Sequence, residues 1–373
     1  MWGRMAPMAR VRLVEVATAA GVSLATASRV LNGSARTPGR EVTQKVQAAA
    51  RELGYLPNAS AQALARSTSG LLGLVIPDLE DPYYAAIASG FQRAASAQRR
   101  LVLVIQTGGQ PSSTLAALRS LRVQQVAGVL VLGSLNLGLS EQSEFRGLLA
   151  ELVDGGAGIV SIGRDLGVGG VICPDDRAGA VALAQAAVAG GYRHFAILED
   201  TSRAPSAVAR AEGFAAGLQA AGVDIDHRVR GSVAASSGRE VAAAVVRLAR
   251  ARSRGVTAGS GGDGSRRSTE GSLAFFAITD AIALAVLGRA QQAGIRVPGE
   301  LGILGFDGIA AGRDCWPGLT TVDLPLREMG RHAARMLLEP GSAERPAGWT
   351  CQGRTVTAPG RFRAGGSTLR ASR

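Results

Sequence analysis

The residues with the clearest chemical reach lie between Arg12 and Gly33, in the stretch RLVEVATAAGVSLATASRVLNG. Arg29 can donate two parallel hydrogen bonds to a guanine edge, and the short hydroxyls of Thr26 and Ser28 can reach phosphates or bases. Leu24 and Ala25 precede them and offer little hydrogen bonding. These five side chains are left outward on a helix read from Leu24 to about Leu31. Ala27, Val30 and Leu31 fall together at helical spacing and would pack inward. Small side chains around one arginine suit close approach to a duplex. A surface helical hairpin is the other reading of the same pattern.

Several elements must hold that helix in place. A first helix carries an apolar stripe of Val14, Ala17 and Ala20, with Leu13 and Val16 alongside, and Gly21 breaks it. Ser23 is placed to accept from the free amides of the second helix. Thr37-Pro38 reads as a cap and first helical position, opening a third helix to about Leu53 with Val42, Val46, Ala49, Ala50 and Leu53 completing a three-helix core. After GYLPN comes a short run, Ala59 to Ala65, with Asn58 as its cap. A helix that short is marginal alone and needs a partner, a second subunit or DNA, to persist.

Charge is concentrated where this helical head lies. Residues 1–66 carry 9 basic and 3 acidic groups, residues 67–344 carry 26 of each, and the tail after Glu344 has six arginines and no acid. A basic head on a neutral body is the electrostatic outline of a nucleic-acid module joined to something else. The tail reads as a solvated end. Cys173, Cys315 and Cys351 are widely spaced and belong to no Cys/His cluster, so neither a disulfide framework nor a zinc site is expected. His194, His227 and His332 are scattered, and no nucleophile can be paired with a base. We therefore expect no catalysis, no metal and no cofactor. Residues 1–10 lack the apolar run of a signal peptide, and no stretch reaches the ~18 apolar residues of a membrane span. A cytoplasmic protein with no membrane partner is the expectation.

From Leu71 the texture changes to short apolar runs separated by amphipathic segments. Residues 71–76, 101–105, 126–132, 158–162, 194–198, 272–278 and 301–306 read as strands. Continuous apolar strands between helices indicate parallel sheets covered on both faces. That predicts an α/β core of two doubly wound lobes, with a ligand crevice at the carboxyl ends of the strands. Residues 251–271 are Gly/Ser-rich without apolar pattern and read as an exposed disordered loop. They contain no GxxxxGK(S/T), and no GxGxxG follows a strand, so no phosphate cradle is assigned.

Seven segments, in order, resemble the lactose-repressor and galactose-repressor family of bacterial transcription regulators. AGVSLATASRVLNG resembles its recognition helix, GYLPNASAQALA its hinge helix and GLVIPDLEDPYYA the first strand of its core. VICPDDRAGAVALAQAAVAGGYRHFAIL, Arg210 with Gly213-Phe214, RVPGELGILGFDGI and LTTVDLPLREMG follow in the family's order. The implied architecture is a helix-turn-helix head on a periplasmic-binding-protein-like body. In boundaries, this means 10–57 for the head, 58–70 for hinge and linker, and 71–368 for the effector and dimerisation body, with 1–9 and 369–373 as disordered tails.

The resemblance places Leu24, Ala25, Thr26, Ser28 and Arg29 in a major groove, with Asn32, Tyr55 and Asn58 adding contacts to DNA. Leu64 aligns with the hinge leucine that wedges into the minor groove and kinks the duplex; hinge-to-hinge packing is the alternative. Asp175, Arg210 and Asp280 match positions that hydrogen-bond small ligands. Two carboxylates and an arginine suit a polyhydroxyl molecule, although each could instead be a cap or a surface ion pair. Asp81, Tyr83 and Tyr84 would add contacts or stacking, or serve lobe packing, and Asp307 reads as a turn-former. Thr279 stands where the family usually has asparagine, Gly163 where aspartate often precedes Arg164, and Arg363-Ala-Gly-Gly-Ser367-Thr368 departs from the usual ending. The expected protein is a repressor, homodimeric or larger, of a double-stranded operator, controlled by a sugar-like effector. A solute-binding or sensor protein of the same two-lobed fold is the alternative.

Overall fold

The computed structural model describes residues 11–32, 38–55, 70–133, 137–233, 237–257, 272–341 and 344–368. The chain divides into two compact units, Met1–Gly70 and Leu71–Arg373.

In the first unit, α1 (Leu13–Ala19), α2 (Leu24–Asn32) and α3 (Arg40–Glu52) enclose Val16, Ala17, Ala27, Val46, Ala49 and Ala50. The buried stripe of α1 differs from the sequence expectation by one helical step. Leu13, Val16, Ala17 and Ala20, at i, i+3, i+4 and i+7, face the core, whereas Val14 is 49% exposed. Leu53 is also mostly outward, beyond the last turn of α3. The start of α3 shifts too: its N-cap is Gly39, and the Pro38 carbonyl accepts from the Thr43 hydroxyl at 3.1 Å. Thr37 lies outside the described residues.

The second unit alternates strands and helices. β1 (Leu71–Ile76), α4 (Pro82–Ala97), β2 (Leu101–Gln106), α5 (Pro111–Val123), β3 (Gly128–Leu132), α6 (Leu139–Asp154), β4 (Gly158–Ile162) and β5 (Gly170–Pro174) build a first lobe. α7 (Asp176–Ala189), β6 (His194–Asp200), α8 (Pro205–Gln219), β7 (His227–Gly231), α9 (Gly238–Thr257), β8 (Leu273–Phe276), α10 (Asp280–Gln292), β9 (Leu301–Leu304), α11 (Ala311–Asp314) and β10 (Thr321–Asp323) build a second. The chain returns to the first lobe as α12 (Leu326–Leu338), β11 (Thr350–Gln352) and β12 (Thr355–Ala358), then ends in the second with β13 (Arg361–Arg363). It thus crosses between lobes three times, near Pro174, Leu324 and Ala358. Two crossings are tied together by the Asp175 amide donating to the Ala358 carbonyl at 2.9 Å.

The first sheet has the order β11-β12-β5-β4-β3-β1-β2 and is parallel except for the β11–β12 pair. The second, β7-β6-β8-β9, is parallel throughout. All seven apolar runs form strands. The sequence pattern does not reveal β5, β7 and the short β10 to β13. β7, HRVRG, is an edge strand with only Val229 buried, so it lacks the apolar run that marks a central strand. Helix α9 runs through Thr257, so residues 251–257 are helical rather than loop; the Ser253 hydroxyl bonds Ala249 O and Glu300 Oε1. Residues 258–271 lie outside the described residues.

In the first lobe, edge strand β2 is largely uncovered, with Leu101, Leu103 and Val104 exposed. Helices α4 and α12 cross at a glycine pair: a Cβ at Gly90 would strike the Arg327 carbonyl, and one at Gly330 the Ile87 carbonyl. Only glycine lets the two backbones meet this closely.

Candidate functional sites

In the head, Gly21 turns the chain at φ +64°, a conformation that favours glycine, and Ser23 caps α2 by accepting from the Thr26 amide at 3.1 Å. With Ala27 buried against α1 and α3, Leu24 (52% exposed), Ala25 and Arg29 project outward, and Thr26 and Ser28 are half-buried beside them. The Thr26 hydroxyl lies 2.8 Å from Ser23 Oγ, so it also helps shape the cap. Tyr55 packs against the head core, and its amide donates to Ala50 O at 2.8 Å. Asn32 ends α2. Asn58 and Leu64 lie outside the described residues.

In the body the chemistry converges on Arg210, from the first half of α8 and 4% exposed. Its Nε donates to Asp176 Oδ1 at 2.8 Å and its Nη1 to Ile278 O at 3.0 Å. Asp307 Oδ1 lies 2.8 Å from the same Nη1, an ion pair off the N–H direction, and this buried oxygen receives no hydrogen bond. The guanidinium stacks 4.2 Å above the Phe306 ring. Burial works against the arginine charge, but Asp176 and Asp307 outweigh it and hold the group charged.

Three expectations change here. The residue of the Asp175-Asp176 pair that meets Arg210 is Asp176, at the first position of α7. Asp175 is the N-cap, accepting from the Ala178 amide at 3.2 Å. Helical phase explains the choice: Asp176 extends the buried face of Ala180, Leu183, Ala184 and Ala187, and that periodicity is present in the sequence. Asp280 is buried but committed to protein. Its Oδ2 accepts from the Gly308 and Ile309 amides, both at 2.9 Å, and its Oδ1 from the Thr321 hydroxyl at 2.6 Å. It clamps the 307–309 turn beside the cluster, and burial pushes its carboxyl up to about 6 despite those donors. Asp307 does turn the chain, at φ 118°, but is also the second carboxylate of the cluster.

From the first lobe, Asp81 caps α4 by accepting from the Tyr83 amide at 2.9 Å, which sets Tyr83 and Tyr84 on the first turn with their rings edge to face at 5.0 Å. Burial raises the Tyr83 phenol well above its usual range; Arg210 opposes this, and Asp176 and Asp307 add to it. Tyr84 is raised by burial, with Asp81 and Asp307 adding. The two phenols therefore stay protonated as neutral donors and acceptors, within electrostatic range of the second-lobe cluster. A surface depression of about 700 Å³ lies instead between α9 and α10, with Arg239, Glu240 and Arg289 among the residues that line it.

Both units match known family models. Residues 12–58 match the model for bacterial regulatory proteins of the lacI family, and 69–249 match that for periplasmic binding proteins and the sugar binding domain of the LacI family. The chain belongs to the LacI family. A periplasmic binding protein-like model matches 184–368, so the LacI-type body extends through β13. Curated relatives include the HTH-type transcriptional regulator DegA of Bacillus subtilis, 27% identical over 87% of this chain and 89% of that one. GalS of Salmonella typhimurium is 29% identical over 87% and 88%. Among solved structures, a LacI-family regulator from Silicibacter pomeroyi is 25% identical, with a TM-score of 0.71 over 96% of this chain and 99% of that one. As in these LacI-family relatives, a helix-turn-helix head precedes an α/β body, and this chain is a DNA-binding transcriptional regulator.

Proposed function

We propose that the protein is a homodimeric repressor that binds a two-fold-related operator through paired α2 helices and responds to a sugar-like effector held between the lobes. The observation that carries this reading is the buried Asp176–Arg210–Asp307 cluster, in a chain that also turns Leu24, Ala25 and Arg29 outward from a capped helix. In this reading Arg29 reads a base edge and Thr26, Ser28, Asn32 and Tyr55 support the backbone contacts; Asn58, as a further DNA contact, and Leu64, as the minor-groove wedge, lie outside the described residues. The domains follow as 10–57, 58–70 and 71–368.

The effector contacts come from both lobes: Asp81, Tyr83 and Tyr84 from the first, Asp176, Arg210 and Asp307 from the second. A polyol bridging them changes the energy of one lobe orientation against another, which is the coupling a regulator needs. The sugar-binding description of the matching family model supports this ligand class. The uncovered apolar edge of β2 supports a second copy as partner. The protein binds its ligand without turning it over and works in the cytoplasm, where its DNA is.

Selection of bound duplexes from a random library by the full chain, followed by footprinting with and without a sugar panel, tests the reading. It expects an inverted repeat with half-sites about one helical turn apart or a multiple of it, and an occupancy that at least one sugar changes. Retention without sequence preference would overturn it. So would occupancy indifferent to every sugar that raises the unfolding temperature.

A further inference from the structure

The electrostatics of the crevice specify more than a polyol. Arg210 is the one arginine buried among the described residues, and its charge is already shared by Asp176 at 2.8 Å and Asp307 at 2.8 Å. Even with one of those carboxyls protonated the cluster is neutral; with both ionised it is negative. Asp81 brings a further carboxylate from the opposite lobe.

The other usual source of positive potential is also occupied. Helix N-termini attract anions because their first amides are unpaired and their dipoles add. The N-termini of α4, α7 and α10 each have one amide capped by the protein's own oxygen and carry acidic side chains. Asp81 accepts from Tyr83, Asp175 from Ala178 and Thr279 from Ile282, and Asp176 and Asp280 follow as acidic first residues. A phosphate or carboxylate would find no uncompensated guanidinium there, and would find helix starts whose positive ends are already countered by carboxylates. It would instead meet carboxylates of its own sign in a desolvated site, an arrangement that selects strongly against it. The ligand-directed feature points the other way. Asp307 Oδ1 is buried and receives no hydrogen bond, so it wants a donor, and a hydroxyl or an ammonium supplies one. The neutral Tyr83 and Tyr84 hydroxyls of the first lobe are the polar groups we assign to the remaining oxygens of a polyol.

We propose that the crevice selects an uncharged or amine-bearing polyhydroxyl effector and rejects its phosphorylated and carboxylated counterparts, because Asp176 and Asp307 already compensate Arg210. This rests on the effector site proposed above. It makes the protein a sensor of free, unphosphorylated ligand, upstream of any kinase that would trap the compound as its phosphate ester.

The test uses thermal unfolding of the full chain at fixed ionic strength and pH 7.5. The probes are matched series of an aldose, its amino sugar, its uronic acid and its phosphate ester, together with inorganic phosphate. In at least one series the neutral or amino member should stabilise saturably, with the acid and ester weaker by on the order of tenfold or more. Inorganic phosphate should leave the wild type unmoved. In Asp307→Asn, or in Asp176→Asn should the first variant fail to fold, it should stabilise by engaging the freed Arg210, and that gain should vanish on adding Arg210→Met. An ester or acid that binds more tightly than its neutral parent overturns the proposal, whether Arg210 or Arg164, just past β4, supports it. So does inorganic phosphate that stabilises the wild type in an Arg210-dependent way. If no series member moves the wild type and phosphate behaves alike in wild type and both Asn variants, the crevice is not the ligand site. In that case the underlying reading has failed, not the choice of charge alone.

Discussion

Replacing Arg210 with methionine tests the central cluster most directly, because a flexible apolar stem remains while the guanidinium, with its charge and donors, is removed. The change strands two carboxylates, each within 2.8 Å of the missing guanidinium, in an environment that already pushes both toward protonation. Removing one partner of a buried ion pair costs about 3–5 kcal/mol. Losing the stack on Phe306 adds up to about 2 kcal/mol, though methionine recovers part of that contact. The loss should depend on pH in a defined direction. Burial raises Asp176 and Asp307, and Arg210 is what holds them down, so without it both bind protons more readily when folded than when unfolded. The stability this proton binding supplies is present at low pH and is lost as pH rises through the folded values. The deficit against wild type should therefore be largest near pH 8 and shrink toward pH 5, by up to about 1.4 kcal/mol per pH unit for each carboxyl in its titration range. Denaturant unfolding followed by the fluorescence of Trp316 and Trp349, at four pH values between 5 and 8, reads this out. A deficit under about 1 kcal/mol that is flat with pH would refute the cluster as a charged unit. Arg210→Lys should fall between, since an ammonium keeps the charge but cannot span Asp176, Asp307 and Ile278 O together.

Arg29→Ala should weaken operator binding by about 1–3 kcal/mol and relax preference at one base pair of each half-site, as measured by anisotropy on the selected duplex and its single-base variants; an unchanged preference would remove Arg29 from base reading. Gly90→Ala, which drives a methyl into the Arg327 carbonyl, should destabilise the body by about 1–3 kcal/mol in calorimetry, more than alanine at the open helical position Gly147. His332 is 1% exposed, packs edge to face on Trp349, and is held below its ordinary value first by burial and then by Arg335, with Glu328 opposing. Its neutral form is favoured on folding, so that stability is present above about pH 6.5 and lost as pH falls below it; His332→Phe, which preserves the ring contact, should flatten the profile there. Asp280→Asn replaces one carboxylate oxygen with N–H₂, set against either the Gly308 and Ile309 amides or the Thr321 hydroxyl, and should cost about 1–3 kcal/mol in chemical unfolding; a neutral result would show that the 307–309 turn does not depend on that clamp.

Much of this architecture is legible in the sequence because it rests on local periodicity. The outward set on α2 follows from the spacing of Ala27, Val30 and Leu31, and continuous runs such as LLGLVI can be satisfied only in a sheet covered on both faces. Val14 is misplaced by periodicity because two apolar phases compete in LVEVATAA, and only packing against α3 decides between them. The charged cluster around Arg210 is half legible. Sequence reasoning singles out Arg210 together with Asp175 and Asp280, whereas the carboxylates that flank it are Asp176 and Asp307. Each favoured aspartate sits at a helix start with its carboxylate already engaged by protein donors, Asp175 as the cap of α7 and Asp280 on the 307–309 turn and Thr321, and those roles compete with ligand binding. Asp307 cannot be recognised locally, since its partner lies 97 residues earlier and its left-handed backbone looks like a simple turn.

The three crossings between lobes have a consequence for how the protein is made. The first lobe's sheet needs β12 alongside β5, and its helix α4 needs α12 across the Gly90–Gly330 contact, yet both partners are encoded after the whole of β6 to β10. On the ribosome, the lobe translated first must wait with an open edge at β5 and a bare face on α4. The second lobe's four-stranded sheet, β7-β6-β8-β9, is fully encoded before α12 and β12, although that lobe still waits for β13 and the terminal Ser367-Thr368. Vectorial synthesis therefore lets the second sheet assemble before the first. The unfinished first lobe, rather than the DNA-binding head, is the segment most exposed to misassembly while the chain is being completed.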